Sequence, residues 1–337
     1  NGSADNCTSV TLAASPTAFT CSNIGTNNVT LTVTDGSGNT STTTAVVTVA
    51  DIASPTAIAQ NITVNLDALG NVTIVAADVN NGSADNCTSV TLAASPTAFT
   101  CSNIGTNNVT LTVTDGSGNT STTTAVVTVA DIASPTAIAQ NITVNLDALG
   151  NVTIVAADVN NGSSDNCGPV TLAIDVSTFT CTDIGANNVI LTVTDANSNT
   201  STATAVVTVA DIISPTAVAQ NITVNLDALG NATIVAADVD NGSSDNCGPV
   251  TLAIDVSTFT CTDIGANNVI LTVTDANSNT STATAVVTVA DIISPAAIAQ
   301  NITVNLDALG NASIVAADVD NGSADNCTSV TLAASPT

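Results

Sequence analysis

Along this chain, Val, Ile and Leu alternate with Thr in short runs such as VTLTVTD at 109–115 and the end of TSTTTAVVTVA at 120–130. A period of two places the apolar side chains on one face of a strand and the threonines on the other. The Thr rows therefore read as the solvent face of half-buried strands rather than as an ice- or sugar-binding surface. Between residues 51 and 130 the pattern predicts strands at 56–60, 61–66, 71–77, 88–94, 97–101, 108–114 and 120–130. Turns fall at DALG (67–70), a long polar loop (78–87), SNIGTN (102–107) and GSGN (116–119). Seven short strands separated by frequent turn signals predict an all-β, seven-stranded immunoglobulin-like sandwich. A β-solenoid is the competing architecture, but its coils are shorter than the unit found here.

That unit repeats. Residues 1–80 and 81–160 are identical, and 161–240 differs from 241–320 only at Thr216/Ala296, Val218/Ile298 and Thr233/Ser313. Residues 321–337 repeat 1–17 letter for letter. Such a fixed period marks a tandem array. The Pro-containing break Asp131-Ile-Ala-Ser-Pro135 follows a long strand and punctuates the array. It divides the chain into the back part of one domain (1–50), whole domains at 51–130, 131–210 and 211–290, and the front part of another (291–337). Both ends then fall inside a domain, which leads us to expect a window on a longer, rod-like polymer.

The strings DNC, FTC, NIG, VTLTVTDG, TAVVTVAD and QNITVNLDALG, in this order and repeated along the whole chain, resemble the immunoglobulin-like, hyalin-repeat-related modules of very large bacterial surface and secreted proteins. The resemblance implies extracellular display, tandem arrays and adhesive or scaffolding roles. Such modules often carry a second cysteine pair near the positions of Ala59 and Thr123; here both cysteines are absent together.

Composition narrows the chemistry. The chain has no Lys, Arg, His, Glu, Met, Trp or Tyr, and its formal charge of −27 comes entirely from aspartate. Acidic, simple chains are often disordered, but 44% of these residues are hydrophobic and β-forming. With no cation to neutralise phosphate, nucleic acid and anionic membranes are excluded as partners. No apolar run reaches the ~18 residues that span a bilayer. General acid–base catalysis lacks His, Glu, Lys and Tyr, and a Ser or Cys nucleophile lacks a base. The chain reads as no enzyme and as needing no organic cofactor. Asn-X-Ser/Thr triplets at Asn28, Asn61 and Asn71 follow from Asn and Thr abundance.

Nine cysteines recur at C-x13-C spacing: Cys7/Cys21, Cys87/Cys101, Cys167/Cys181, Cys247/Cys261 and a lone Cys327. Two thiolates per repeat without His do not make a zinc site, and no cation activates a thiol. A disulfide within each C-x13-C pair is expected, closing a 15-residue loop for ~3 kcal/mol and placing the chain outside the reducing cytosol. On this pairing the partner of Cys327 falls at position 341, beyond the sequence; an inter-chain bond is the minor alternative. A core with one Phe per repeat (Phe19, Phe99, Phe179, Phe259) is thin enough to need such support.

The aspartates offer a second support. In domain 131–210 the entry Asp131, the loop bearing Asp158 and Asp165, and the hairpin at Asp195 are expected at one pole, where Asp67 of the preceding DALG turn also points. Convergent carboxylates with Asn and backbone carbonyls suit calcium, which takes 6–8 hard oxygen ligands. The competing reading is that these residues cap turns. The functional expectation is a structural segment of an extracellular filament or surface-protein stalk, its partners being neighbouring repeats and identical chains. The alternative is an adhesive module for glycans or other cells, which would be expected to carry aromatic or Arg hot spots.

Overall fold

The computed structural model describes residues 3–6 and 9–335. They form an all-β protein of repeated β-sandwich domains of about 80 residues. The chain divides into two compact units. One comprises Asn1–Ala139, Asn160–Ala173 and Leu191–Ala203; the other comprises Gln140–Val159, Ile174–Ile190 and Thr204–Thr337.

In the first unit a four-stranded sheet runs in the order Ile62–Asn65, Thr120–Ala130, Gly105–Thr114, Thr91–Ser95. The first pair is parallel, with Ile62 opposite Val127, and the other two are antiparallel. A second, two-stranded sheet pairs Asn71–Thr73 with Ala98–Thr100. Strand alternation sends Val109, Leu111 and Val113 from one strand and Ala125, Val127 and Val129 from its neighbour into a core where they meet Phe99 from the smaller sheet. All seven are at most 1% exposed, while the threonines between them stay exposed or partly exposed. Earlier in this unit Thr11–Ser15, Gly25–Thr34 and Thr40–Val49 form a three-stranded sheet.

The second unit repeats the plan. Ile222–Asn225, Thr280–Ala290, Gly265–Thr274 and Thr251–Ile254 form the larger sheet, and Asn231–Thr233 pairs with Thr258–Thr260. Phe259 fills the position of Phe99 in its core.

The predicted strands differ in detail. The expected strand 56–60 is two isolated bridges, Thr56 to Ala84 and Ala59 to Asn80. Between them the ladder passes through a side chain: Ile58 N donates to Ser83 Oγ at 2.9 Å. The strand expected at 71–77 ends at Thr73, because Asp78 Oδ2 accepts from Val75 N at 2.7 Å and turns the chain. The strand expected at 108–114 begins earlier, at Gly105. The same chemistry explains Asn61, whose Oδ1 accepts from Val126 N at 2.8 Å.

Candidate metal centre and disulfide bridges

The cysteine pairing differs from the expectation. Bonds join Cys21 to Cys87, Cys101 to Cys167, Cys181 to Cys247 and Cys261 to Cys327, each across 66 residues. None joins the members of a C-x13-C pair. Cys327 is bonded within the chain, to Cys261, and needs no partner at position 341. Cys7 lies outside the described residues.

The cause is the path of the chain between Cys87 and Cys101. It runs through strand Thr91–Ser95 of the larger sheet and then through strand Ala98–Thr100 of the smaller one. Cys87 sits in the acidic loop, where its N–H donates to Asp85 Oδ2 at 2.8 Å. Cys101 opens a short 3-10 turn beyond the last strand, against the DALG turn. The two sulfurs therefore face different neighbours. A closed interval of this length raises the chain-entropy contribution to about 4 kcal/mol per bridge.

Gly70 makes room for the bridge. It is buried with φ +75°, and a Cβ there would collide with Cys101 Sγ and stand 3.4 Å from Cys167 Sγ. Gly150 and Gly230 hold the same position at Cys181–Cys247 and Cys261–Cys327. Beside the bridge, Asn166 Nδ2 donates to the carbonyl of Asp67 at 3.2 Å, as Asn246 does to Asp147 and Asn326 to Asp227. The sequence marks these glycines and asparagines only as turn and loop residues; the recurrence of DALG and DNC once per period is their signal.

The acidic residues form clusters in which one ligand oxygen from each of Asp131, Asp165 and Asp195 lies within 4.8 Å of the others. Asp131 and Asp195 are 5% and 7% exposed. Asp131 Oδ1 accepts from Ala133 N at 3.0 Å, and Asp165 Oδ2 from Cys167 N at 2.8 Å. Their other oxygens, Asp131 Oδ2 and Asp165 Oδ1, are buried and have no hydrogen-bond partner among the described residues. Asp195 accepts from Asn197 N, Asn199 N and Asn199 Nδ2, each at 2.8 Å. Asn199 Nδ2 also donates to the carbonyl of Asp131 at 3.2 Å, which ties the hairpin to the entry segment. Burial acts to raise the Asp195 pKa, but the hydrogen bonds from Asn199, Asn197 and Ser198 outweigh it and hold the carboxyl below its ordinary value.

Asp51, Asp85 and Asp115 repeat the arrangement, as do Asp211, Asp245 and Asp275. Of the five aspartates expected together, three converge. Asp67 instead closes its own turn, Oδ1 accepting from Leu69 N and Asn71 N at 2.9 Å. Asp158 Oδ2 accepts from Val155 N at 2.7 Å at the start of the short helix Ala156–Val159. Neither carboxylate is in the cluster.

Ionised carboxylates this close repel one another. With no Lys, Arg or His in the chain, that repulsion has no internal counter-charge. Three hard, anionic carboxylates, two of them with a buried oxygen that accepts no hydrogen bond among the described residues, have the donor chemistry of a calcium site.

No protein-family model and no curated protein matches the chain. Among solved structures it is similar to extracellular cadherin domains 1–5 of protocadherin gamma B2, at 13% identity over 86% of this chain and 73% of that chain, with a TM-score of 0.33. It is also similar to Drosophila N-cadherin EC1–4, at 10% identity over 79% of this chain and 83% of that chain, with a TM-score of 0.29. A three-Ig segment of titin is similar at 7% identity over 70% of this chain and 98% of that chain, with a TM-score of 0.34.

Proposed function

We propose that this chain is a structural segment of an extracellular filament or surface-protein stalk, in which disulfides and calcium hold successive domains of the 51–130, 131–210 and 211–290 register. The observation that carries this reading is the bridge from each repeat to the next, such as Cys101 to Cys167. A disulfide at every step spends both cysteines of a repeat on connection, and disulfides persist in oxidising surroundings. Calcium at Asp131, Asp165 and Asp195, and at the equivalent triads, neutralises the charge that would otherwise loosen the entry segment of each domain.

Near-identity of the repeats favours length over recognition, since the chain has no Arg, Trp or Tyr and Phe99, Phe179 and Phe259 are buried in the cores. Electron microscopy of the native protein tests the proposal. The expected image is an extended thread, single or bundled with identical chains, with one bead per 80 residues. Compact, unextended particles in millimolar calcium would overturn it.

A further inference from the structure

The bridges alternate with the chain in a way that changes its mechanics. From Cys21 the bond leads to Cys87; fourteen residues further on, Cys101 leads to Cys167; fourteen more reach Cys181, bonded to Cys247; and Cys261 leads to Cys327. The shortest covalent path thus crosses three segments of 14 peptide steps, 42 steps in all, whereas the backbone between the same ends has 306. We infer that the segments 87–101, 167–181 and 247–261, joined by the disulfides, form a continuous covalent cable that carries tension and shields the other 65 residues of each repeat from it.

The arithmetic sets the scale. A fully extended residue spans about 3.3–3.6 Å, so 14 residues reach at most ~50 Å, and each bridge adds its Cα–Cα distance of 5.1 Å. Each repeat can then lengthen to no more than ~55 Å. Without the bridges, 80 residues extend to roughly 260–290 Å, about fivefold further. About half of each cable segment is already extended strand, Thr91–Ser95 with Ala98–Thr100 in the first, so the slack left is a fraction of its ~50 Å reach. Unfolding the sandwich under load would release no more than the slack of that segment, and a domain that lost its core would still be held between its neighbours. Any single backbone cut inside a 66-residue interval would likewise leave the chain continuous.

This deepens the reading of the chain as a load-bearing segment, yet it can fail separately, because it depends on connectivity and not on what electron microscopy shows of the native assembly. The chain is pulled in optical tweezers through handles fused at its ends, oxidised and then with dithiothreitol. Between the first and last bridge the oxidised chain is expected to stop near 55 Å per repeat. The reduced chain should yield further steps of roughly 220–240 Å, the span of 66 residues. Oxidised chains that lengthen in the large steps would overturn the cable.

A second measurement needs no force. The chain has no trypsin site, so Ser117→Arg and Thr97→Arg each introduce one, both at exposed positions. Cleavage after 117 should leave one band on a non-reducing gel, because Cys101–Cys167 spans the cut; cleavage after 97 should give two. The reverse result would mean that the bonds lie within the C-x13-C pairs, and the cable would not exist.

Discussion

Cys167 N donates to one oxygen of Asp165 at 2.8 Å, and the other oxygen of the same carboxylate is buried without a partner beside Asp131 and Asp195. One side chain thus belongs at once to the loop that holds a bridge and to the group that would hold a cation. A cation held there would therefore act on the loop that positions Cys167.

Asp131→Asn separates charge repulsion from metal binding because the two effects have opposite signs. Without calcium the substitution removes a like charge from beside Asp165 and Asp195, so melting in chelator should rise. With millimolar calcium the variant should melt below the parent, having lost a ligand. Thermal melts of both proteins in both conditions decide the matter; shifts of the same sign in chelator and in calcium would remove the triad as a cation site.

Gly70→Ala should be far more damaging than Gly118→Ala. Both glycines have positive φ, +75° and +92°, so each alanine carries the left-handed backbone cost of roughly 1–2 kcal/mol. At Gly118 the added methyl meets open space, whereas at Gly70 it strikes Cys101 Sγ. Free-thiol titration of the native proteins should find two reactive thiols more in the Gly70 variant, or else a melting point well below that of the Gly118 variant. Equal melts with no free thiol would mean that the turn can move off the bridge.

How much of this could be read from the sequence depended on whether local pattern or long-range path decided the outcome. Val109, Leu111 and Val113 alternate with Thr, and their burial follows from strand geometry alone. The segment 56–60 has β-forming residues too, but its pairing runs partly through Ser83 Oγ, which no alternation encodes. The cysteine pairing was hidden for an arithmetic reason: spacings of 14 and 66 residues add to the same period, so C-x13-C and the observed bonds fit the repeat equally well. The aspartates divide similarly. Asp67 and Asp165 both sit in polar loops, yet the DALG turn folds back on the first carboxylate, while the second keeps one oxygen free.

Acid should destabilise the hairpins. Burial acts to raise the Asp115 pKa, but hydrogen bonds from the side chain and backbone of Asn119, with those of Ser117 and Gly118, outweigh it and leave the carboxyl below its ordinary value. A group whose pKa is lower folded than unfolded stabilises the fold above its unfolded pKa, and that stability is lost as pH falls through the folded pKa. With an unfolded value near 3.9, the loss should be confined to pH below about 4. Asn119→Ala removes one of the lowering donors, so Asp115 should titrate at higher pH in a carboxyl NMR titration. An unchanged titration would show that the backbone donors alone set its pKa.

Calcium should slow the reduction of Cys101–Cys167. Dithiothreitol reaches a packed disulfide when its surroundings open, and opening here must loosen the loop in which Asp165 grips Cys167. A cation on Asp131, Asp165 and Asp195 binds the closed loop and not the open one. At a free concentration a hundredfold above Kd, that linkage opposes opening by about 2.7 kcal/mol, a slowing of up to roughly a hundredfold. The rate is read by quenching with iodoacetamide at intervals and mapping labelled Cys167 by mass spectrometry. Asp131→Asn should abolish most of the calcium effect, and in chelator the variant should be reduced no faster than the parent, because the repulsion it removes favours opening. If calcium slows both proteins equally, its action lies elsewhere on the acidic surface; if it slows neither, the loop opens without disturbing the triad.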